Sequence, residues 1–381
     1  MGPLQLLVLQ PTAFCNLDCD YCYLPDRTRR SRMELATVQA AATFAAQLGA
    51  QNEIFRILWH VGEPLVVPPD WYRSAHQVLS EVLGANRIEL HFQTNATLLT
   101  PAWISFLRSD PRIRLGISLD GPAHLNDAHR RTRSGHGTYA KVMTAIEAVR
   151  QAGIPFNVIA VITADTLDHA DELYDFFREL EPELLALNPE EMDGQNSCSS
   201  LRTPHNELRY RRFLRRFAER VLQDKFALKV REFVRIEAQL RQFGRSTPAP
   251  LTGNRTNSPW AILSVDWKGN LHTFSPELLG TDLPGVGTSL GSVLTDTPAE
   301  ISLSPRFKRL VEEIERGIRK CRETCDYFRC CGGGSPSNKW GENGSFSSSE
   351  TSYCRLTVKA STDEYLAAAA DSAASGPALS R

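Results

Sequence analysis

The sequence predicts an α/β fold: a partial (β/α)6, TIM-like barrel of parallel strands, followed by a smaller C-terminal region. Two observations predict it. Short apolar runs alternate with longer helical stretches, giving six strand candidates between residues 4 and 187. Cysteines and polar loop residues recur directly after these runs, on the rim where a parallel barrel gathers its chemistry.

Leu4 to Gln10 is an apolar run that suits a buried strand. Residues 34–49 are Ala-rich and helical, and stop at Gly49. Strand-like Phe55–His60 precedes a helix near 70–83, and Ile88–Gln93 a short helix after Pro101. Leu115–Leu119 precedes a helix near 139–152, and Phe156–Ile162 a helix near 168–180. Leu184–Leu187 is the sixth candidate.

Residues 1–200 thus form the barrel. Residues 201–258 form a helical bridge and linker, with one or two amphipathic helices in 205–243 and a loop-like composition in 246–258. Residues 259–357 form the smaller domain, which opens on a strand–turn–strand signal, AILSVDWKGNLHTF, turning at Lys268-Gly269-Asn270. The Ala- and Ser-rich 358–381 reads as a disordered tail.

Net charge is −1, so no global field favours nucleic acid or a membrane surface. The charge is uneven, however. Residues 163–193 hold eleven acidic groups against one basic, and residues 201–245 hold thirteen basic against five acidic. Two solvated helical faces are one reading, and a dock for a charged peptide is the other. No apolar stretch approaches ~20 residues, so no transmembrane helix is expected. The opening MGPLQLLVLQP has no basic n-region, and Leu6 stands where a myristoylation signal needs Ser or Thr. A cytoplasmic, reducing location follows, and the clustered cysteines read as metal or cluster ligands rather than disulfides.

The first cluster is Phe14-Cys15-Asn16-Leu17-Asp18-Cys19-Asp20-Tyr21-Cys22. Cys15, Cys19 and Cys22 have the spacing C-x3-C-x2-C. A [4Fe–4S] cluster prefers a thiolate on each iron, so three cysteines on one loop leave one iron open to an external chelate. A structural zinc site closes with four ligands, and no fourth Cys or His lies nearby. The spacing, with an aromatic before the third Cys, resembles the signature of radical S-adenosylmethionine (SAM) enzymes. The resemblance implies that the open iron binds SAM and that its reductive cleavage gives a 5′-deoxyadenosyl radical. It identifies the predicted fold as a radical SAM barrel followed by a small SPASM-like iron–sulfur domain.

Three further segments resemble that family. Its Gly-Gly-Glu-Pro appears as Val61-Gly62-Glu63-Pro64, with Val in place of the first Gly. Its Gln-Thr-Asn-Gly appears as Gln93-Thr94-Asn95-Ala96, and its Ser-x-Asp-Gly as Ser118-Leu119-Asp120-Gly121. The resemblance implies that Gly62, Glu63 and Pro64 receive the SAM ammonium, that Asn95 and Ser118 help hold SAM, and that Asp120 supports the site.

The second group runs Cys321-x3-Cys325-x4-Cys330-Cys331-Gly-Gly-Gly-Ser335, with Cys354 later. It resembles a SPASM domain, whose full pattern has seven cysteines and two auxiliary clusters. Here Ser335 takes one cysteine position, and Phe274-Ser275 stands where an early cysteine is expected. In the SPASM pattern both missing positions belong to the same auxiliary cluster. The resemblance therefore implies one auxiliary [4Fe–4S] cluster, held by Cys321, Cys325, Cys331 and Cys354. Cys330 competes with Cys331, although spacing and the Gly run favour the latter. A four-cysteine zinc knuckle is the rival reading. Cys198 reads as a non-ligand thiol.

The C-terminal passage CCGGGSPSNKWGENGSFSSSETSYCRL, with TRSGHGTY at 132–139, NPEEMDGQNS at 188–197 and FSPELLG at 274–280, resembles the cyclophane-forming radical SAM/SPASM maturases paired with glycine-rich-repeat precursor peptides. The resemblance implies a three-residue cyclophane, joining an aromatic ring carbon to the Cβ of a residue two positions later in a ribosomally made peptide. Ring deprotonation needs a base. Glu277 is the first candidate, with Glu190 and Glu191 behind it, and a salt bridge or loop hydrogen bond is the plain alternative for each. The implied partners are a precursor peptide with a Gly-rich core and an electron donor such as flavodoxin or ferredoxin. No leader-binding domain of ~80 residues is expected before strand one, so a strand edge or the basic 202–245 segment is expected to receive the peptide. Formylglycine formation, thioether formation and a non-catalytic iron–sulfur protein are the competing functions.

Overall fold

The computed structural model describes residues 3–243 and 253–375. Strands β1 (Leu6–Leu9), β2 (Phe55–Trp59), β3 (Ile88–Thr94), β4 (Ile113–Ser118), β5 (Phe156–Ile162) and β6 (Leu185–Pro189) pair in sequence order, all parallel. Between them run α1 (Leu35–Leu48), α2 (Pro69–Leu83), α3 (Pro101–Ser109), α4 (Ala123–His129), α5 (Tyr139–Gln151) and α6 (Ala170–Leu180). The alternation that predicted a (β/α)6 barrel is the architecture observed. Its long strands alternate buried and half-buried residues, as strands covered on one face and facing a polar lumen on the other must.

The core is largely aromatic under β2 and β3. Trp59, Tyr72, Phe92, Trp103 and Phe106 meet edge-on or tilted with ring centroids 4.9–6.5 Å apart. His76 sits among them, holds the Trp59 indole N–H at 3.1 Å, and is pushed by burial to a pKa of about 4, so it stays neutral.

Two helices follow the barrel: α7 (Pro204–Gln223) and α8 (Arg231–Phe243). The oppositely charged segments face each other. Arg209 meets Asp168 at 2.6 Å, Arg216 meets Asp171 at 3.0 Å, and Arg220 bridges Asp171 and Asp175. Arg211 pairs with Asp363 and Glu364. These four arginines are held by the acidic segment and by residues 363–364, which favours the reading of two solvated helical faces over that of a peptide dock.

The C-terminal region does not stand apart. β7 (Ile262–Val265) pairs parallel with β1, so the barrel sheet continues. β8 (Asn270–Thr273) and β9 (Gly291–Ser292) extend it antiparallel to nine strands. Then come α9 (Pro298–Leu303), α10 (Pro305–Thr324), α11 (Phe328–Cys331), α12 (Pro336–Asn343) and α13 (Ser352–Cys354). Residues 244–252 of the expected linker lie outside the described residues. The remainder, 253–258, is a clasp on the glycine run rather than a loose link. The Asn254 amide donates to Cys331 O and Gly334 O, and the Asn257 amide donates to Gly332 O.

The tail read as disordered is helical as far as it is described. α14 (Ser361–Ser375) packs along α7. Tyr365 is fully buried, stacks on Phe233 and donates to Glu237 at 2.5 Å. Alanine misled the composition argument: it is the best helix former, and its small side chain lets α14 lie close to its neighbour.

Candidate active site

The cysteine loop leaves β1 and is pinned from several sides. The Cys15 N–H donates to Arg27 O, and the Asp18 N–H to Arg131 O. Arg27 donates to Cys19 O at 2.9 Å, and Arg133 donates to Cys15 O at 2.9 Å. The Tyr21 hydroxyl donates to Asp120 at 2.5 Å. All three loop cysteines face one cavity of about 250 Å³. Burial pushes the Cys15 thiol up to about 12 and Cys19 up to about 11. Thiols in such a place become thiolates only against a bound cation, which is what an iron cluster offers. Among the described residues no other cysteine lines this cavity. Three donors and an open fourth position fit the group.

The remaining predicted residues stand at the ends of consecutive strands, mostly as organisers of the loop. Gly62 has φ +111°, and a Cβ there would lie 2.3 Å from Thr12 O. Only glycine lets the two loops approach. Val61 and Ala96, at positions where the resembled motifs carry Gly, keep left-handed backbone, with φ +66° and +60°. The Glu63 carboxylate takes N–H groups from Leu65 and Asn95 at 2.9 Å and the Thr94 hydroxyl at 2.6 Å. It therefore locks the turn at Pro64 to the end of β3 while lining the cavity. Burial lifts its carboxyl to about 7. The Asn95 amide donates to Asn16 at 2.9 Å and lies 3.9 Å from the Cys15 sulfur, so it holds the cysteine loop. Ser118 accepts from Gln93 at 2.9 Å on the cavity wall.

Asp120 is the hub. One oxygen accepts from Arg130 at 2.9 Å and from the Val161 N–H at 2.8 Å, and the other accepts from Tyr21. Arg130 was not foreseen; it lies among other arginines in HRRTR, with no sequence signal. His60, also unforeseen, lines the cavity with a buried, unpartnered Nδ1, and burial lowers it to about 4.

The same cavity carries a carboxylate group. Glu191, Asp193 and Glu277 all line it. Burial, then mutual repulsion, raises Glu191 to about 8. Burial raises Asp193 and Glu277 as well, with Glu277 acting on Asp193. Glu191 accepts from the Asn338 amide at 2.7 Å, and Glu277 accepts from Ser275. Glu190 reaches the wall too, but its carboxylate bonds the Ser200 N–H and hydroxyl at 2.6 Å. Asp193 was missed, although it stands in the NPEEMDGQNS passage that pointed to this region.

The two positions lacking an expected cysteine come together. Ser275 and Ser337 hydroxyls lie 3.3 Å apart, and Ser337 and Ser335 lie 2.9 Å apart. A serine chain joins Ser275 to Ser335. Beyond it, Cys321, on the last turn of α10, is buried against the glycine run. Cys331 accepts the Gly333 N–H and Cys354 the Thr351 N–H, each at 3.4 Å. Cys331 acts electrostatically on both Cys321 and Cys354. The Cys330 carbonyl accepts from Arg235 and Gln239, and Cys331 and Cys325 act on its thiol as well.

A sheet of parallel strands whose ends converge on three loop cysteines defines the radical SAM class, and the family model "Radical SAM superfamily" matches residues 9–177. The chain belongs to the radical SAM superfamily and is an enzyme of that class, with a [4Fe–4S] cluster and SAM as its cofactors. Within it, the chain is 41% identical to the Synechocystis protein "Uncharacterized protein sll1766", covering 94% of this chain and 90% of that one. It is 28% identical to a serine-type anaerobic sulfatase-maturating enzyme of Bacteroides thetaiotaomicron, over 49% of this chain and 46% of the other. Two solved structures share the fold. Native anSMEcpe with bound AdoMet and Cp18Cys peptide has a TM-score of 0.76 at 20% identity, covering 97% of this chain and 98% of that one. Streptococcus suis SuiB bound to precursor peptide SuiA has a TM-score of 0.65 at 18% identity, covering 93% and 77%. No helix among the described residues is long and apolar enough to cross a membrane.

Proposed function

We propose that this enzyme installs a carbon–carbon crosslink, a three-residue cyclophane, in a ribosomally made precursor peptide. One observation carries the reading: Cys15, Cys19 and Cys22 share a cavity with Glu277 and Glu191, while the first auxiliary cysteine positions are serines joined by hydrogen bonds. When bound, SAM and the clusters supply hydrogen-atom abstraction and one-electron exchange. The chain's residues do the rest. Gly62, Glu63 and Pro64 form the wall that receives the SAM ammonium, beside Asn95 and Ser118. Asp120 and Arg130 fix the cysteine loop. Joining a ring carbon to a Cβ removes one hydrogen atom, one proton and one electron from the peptide, and Glu277 takes the proton. A carboxylate that burial makes more basic suits that task, and Glu191 is the second choice. Cys321, Cys325, Cys331 and Cys354 hold the one auxiliary cluster, and flavodoxin or ferredoxin supplies electrons.

That the solved SuiB and anSMEcpe structures hold peptides supports a peptide substrate. The sulfatase-maturating relatives favour a second reading, formylglycine formation. Coexpression with a Gly-rich precursor, read by tandem mass spectrometry, separates them. A cyclophane appears as loss of two hydrogens, mapped between an aromatic residue and a residue two positions on, with all thiols retained. Modification of a Cys or Ser side chain, or SAM cleavage with no peptide product, refutes the proposal.

A further inference from the structure

Lys339, on α12, is 3% exposed, and its Nζ lies 3.6 Å from the Cys321 sulfur. Among the described residues no carboxylate pairs with it; burial disfavours its charge, and the sulfurs of Cys321, Cys331 and Cys354 act to favour it. A buried ammonium without a counter-charge is costly, so it is kept only where negative charge surrounds it.

The fold makes room for it at a cost. Gly317 sits within the long helix α10, where glycine is a poorer helix former than alanine. A Cβ there would lie 2.9 Å from Lys339 Nζ and 2.3 Å from Phe346 O. Gly334, with φ +75°, passes alongside the same side chain: a Cβ would lie 3.6 Å from Lys339 Cε. The serine chain also runs through α12, since Ser337 is two residues away. The helix that closes the serine-filled position therefore aims a cation at the cysteine-filled one.

We propose that Lys339 is the charge partner of the auxiliary cysteine set, and that it raises the reduction potential of the cluster held there. Four thiolates give such a cluster net negative charge, and hydrogen bonds and cations at its sulfurs favour the reduced form. Lys339 is a positioning residue: it touches ligands, not substrate. The inference rests on reading Cys321, Cys325, Cys331 and Cys354 as one cluster site.

The test uses the anaerobically purified, fully loaded enzyme. Iron and sulfide are counted, and EPR-monitored redox titration gives the auxiliary midpoint potential for wild type, Lys339→Gln and Lys339→Arg. The expected result is a negative shift in Lys339→Gln and a potential near wild type in Lys339→Arg, with iron content and SAM cleavage by the N-terminal cluster unchanged. Equal potentials in wild type and Lys339→Gln overturn the inference while leaving the cluster reading intact. A wild-type protein with no second cluster overturns the reading beneath it. If Lys339→Gln fails to assemble the cluster, wild-type protein labelled with 15N-lysine decides. Lys359, paired with Glu350 at 3.2 Å, is a second lysine on which Cys325 and Cys354 act, so a 15N hyperfine coupling on the reduced auxiliary cluster that persists in Lys359→Gln supports the Lys339 contact, and its absence overturns it.

Discussion

Replacing Asp120 with alanine should unfold the barrel rim, and the structure gives the size of the effect. Asp120 is 2% exposed and its Oδ1 lies 2.9 Å from Arg130 Nη2. At that separation and an effective dielectric near 20, the attraction is about 6 kcal/mol. The desolvation of both charges offsets most of it, so the intact pair contributes little net stability. Removing one partner is different. Arg130 stays buried and charged, and Tyr21 and the Val161 N–H lose their acceptor. A broken buried pair costs roughly 3–5 kcal/mol, about 150- to 5,000-fold in the folding constant. Asp120→Asn combined with Arg130→Met should cost distinctly less than Asp120→Ala, because no orphan charge remains. Urea unfolding of the cluster-free protein, followed by far-UV circular dichroism, measures both. The reasoning is refuted if Asp120→Ala loses under about 1 kcal/mol, or if the double variant is no more stable than the single.

Three other outcomes are expected. Gly62→Ala should cost about 1–2 kcal/mol for its left-handed backbone, plus the clash with Thr12 O. Iron loading and 5′-deoxyadenosine formation should fall with it. Glu277→Gln should slow peptide crosslinking by about 10²–10⁴-fold while SAM cleavage continues, seen as 5′-deoxyadenosine accumulating without product by liquid chromatography. Glu191 is raised from 4.5 to about 8 in the folded chain. The folded state therefore holds a proton that the unfolded state releases, and stability is full below pH 4.5 and declines as pH rises through 8. The urea midpoint of the cluster-free protein should fall across that window, and Glu191→Gln should flatten the decline.

The strands were legible because each is a short apolar run bounded by a helix of the right length, and periodicity carries that signal. The three loop cysteines were legible because spacing alone constrains iron ligands. What stayed hidden depends on distant parts of the chain meeting. Arg130 pairs with Asp120 only because α4 folds back beside β4. Asp193 matters because the loop after β6 packs on α12, where a Cβ at Gly341 would touch Met192 O. The sequence pointed to Asn95 and Glu63 as cavity residues, but not to the bracing of the cysteine loop and the end of β3 that their polar atoms also provide. The tail was misjudged because composition cannot show that α7 and α8 offer α14 a place to pack, with Tyr365 stacked on Phe233.

β1 is hydrogen-bonded on both sides, to β2 and to β7. Its second partner is encoded some 250 residues later, so at about 5–20 residues per second a nascent chain waits roughly 13–50 s before that edge is covered. During this interval the thiol loop has no C-terminal wall, since Glu277 follows β7 in the chain. The chamber therefore gains its Glu277 wall only after the strand that covers β1's second edge has been made.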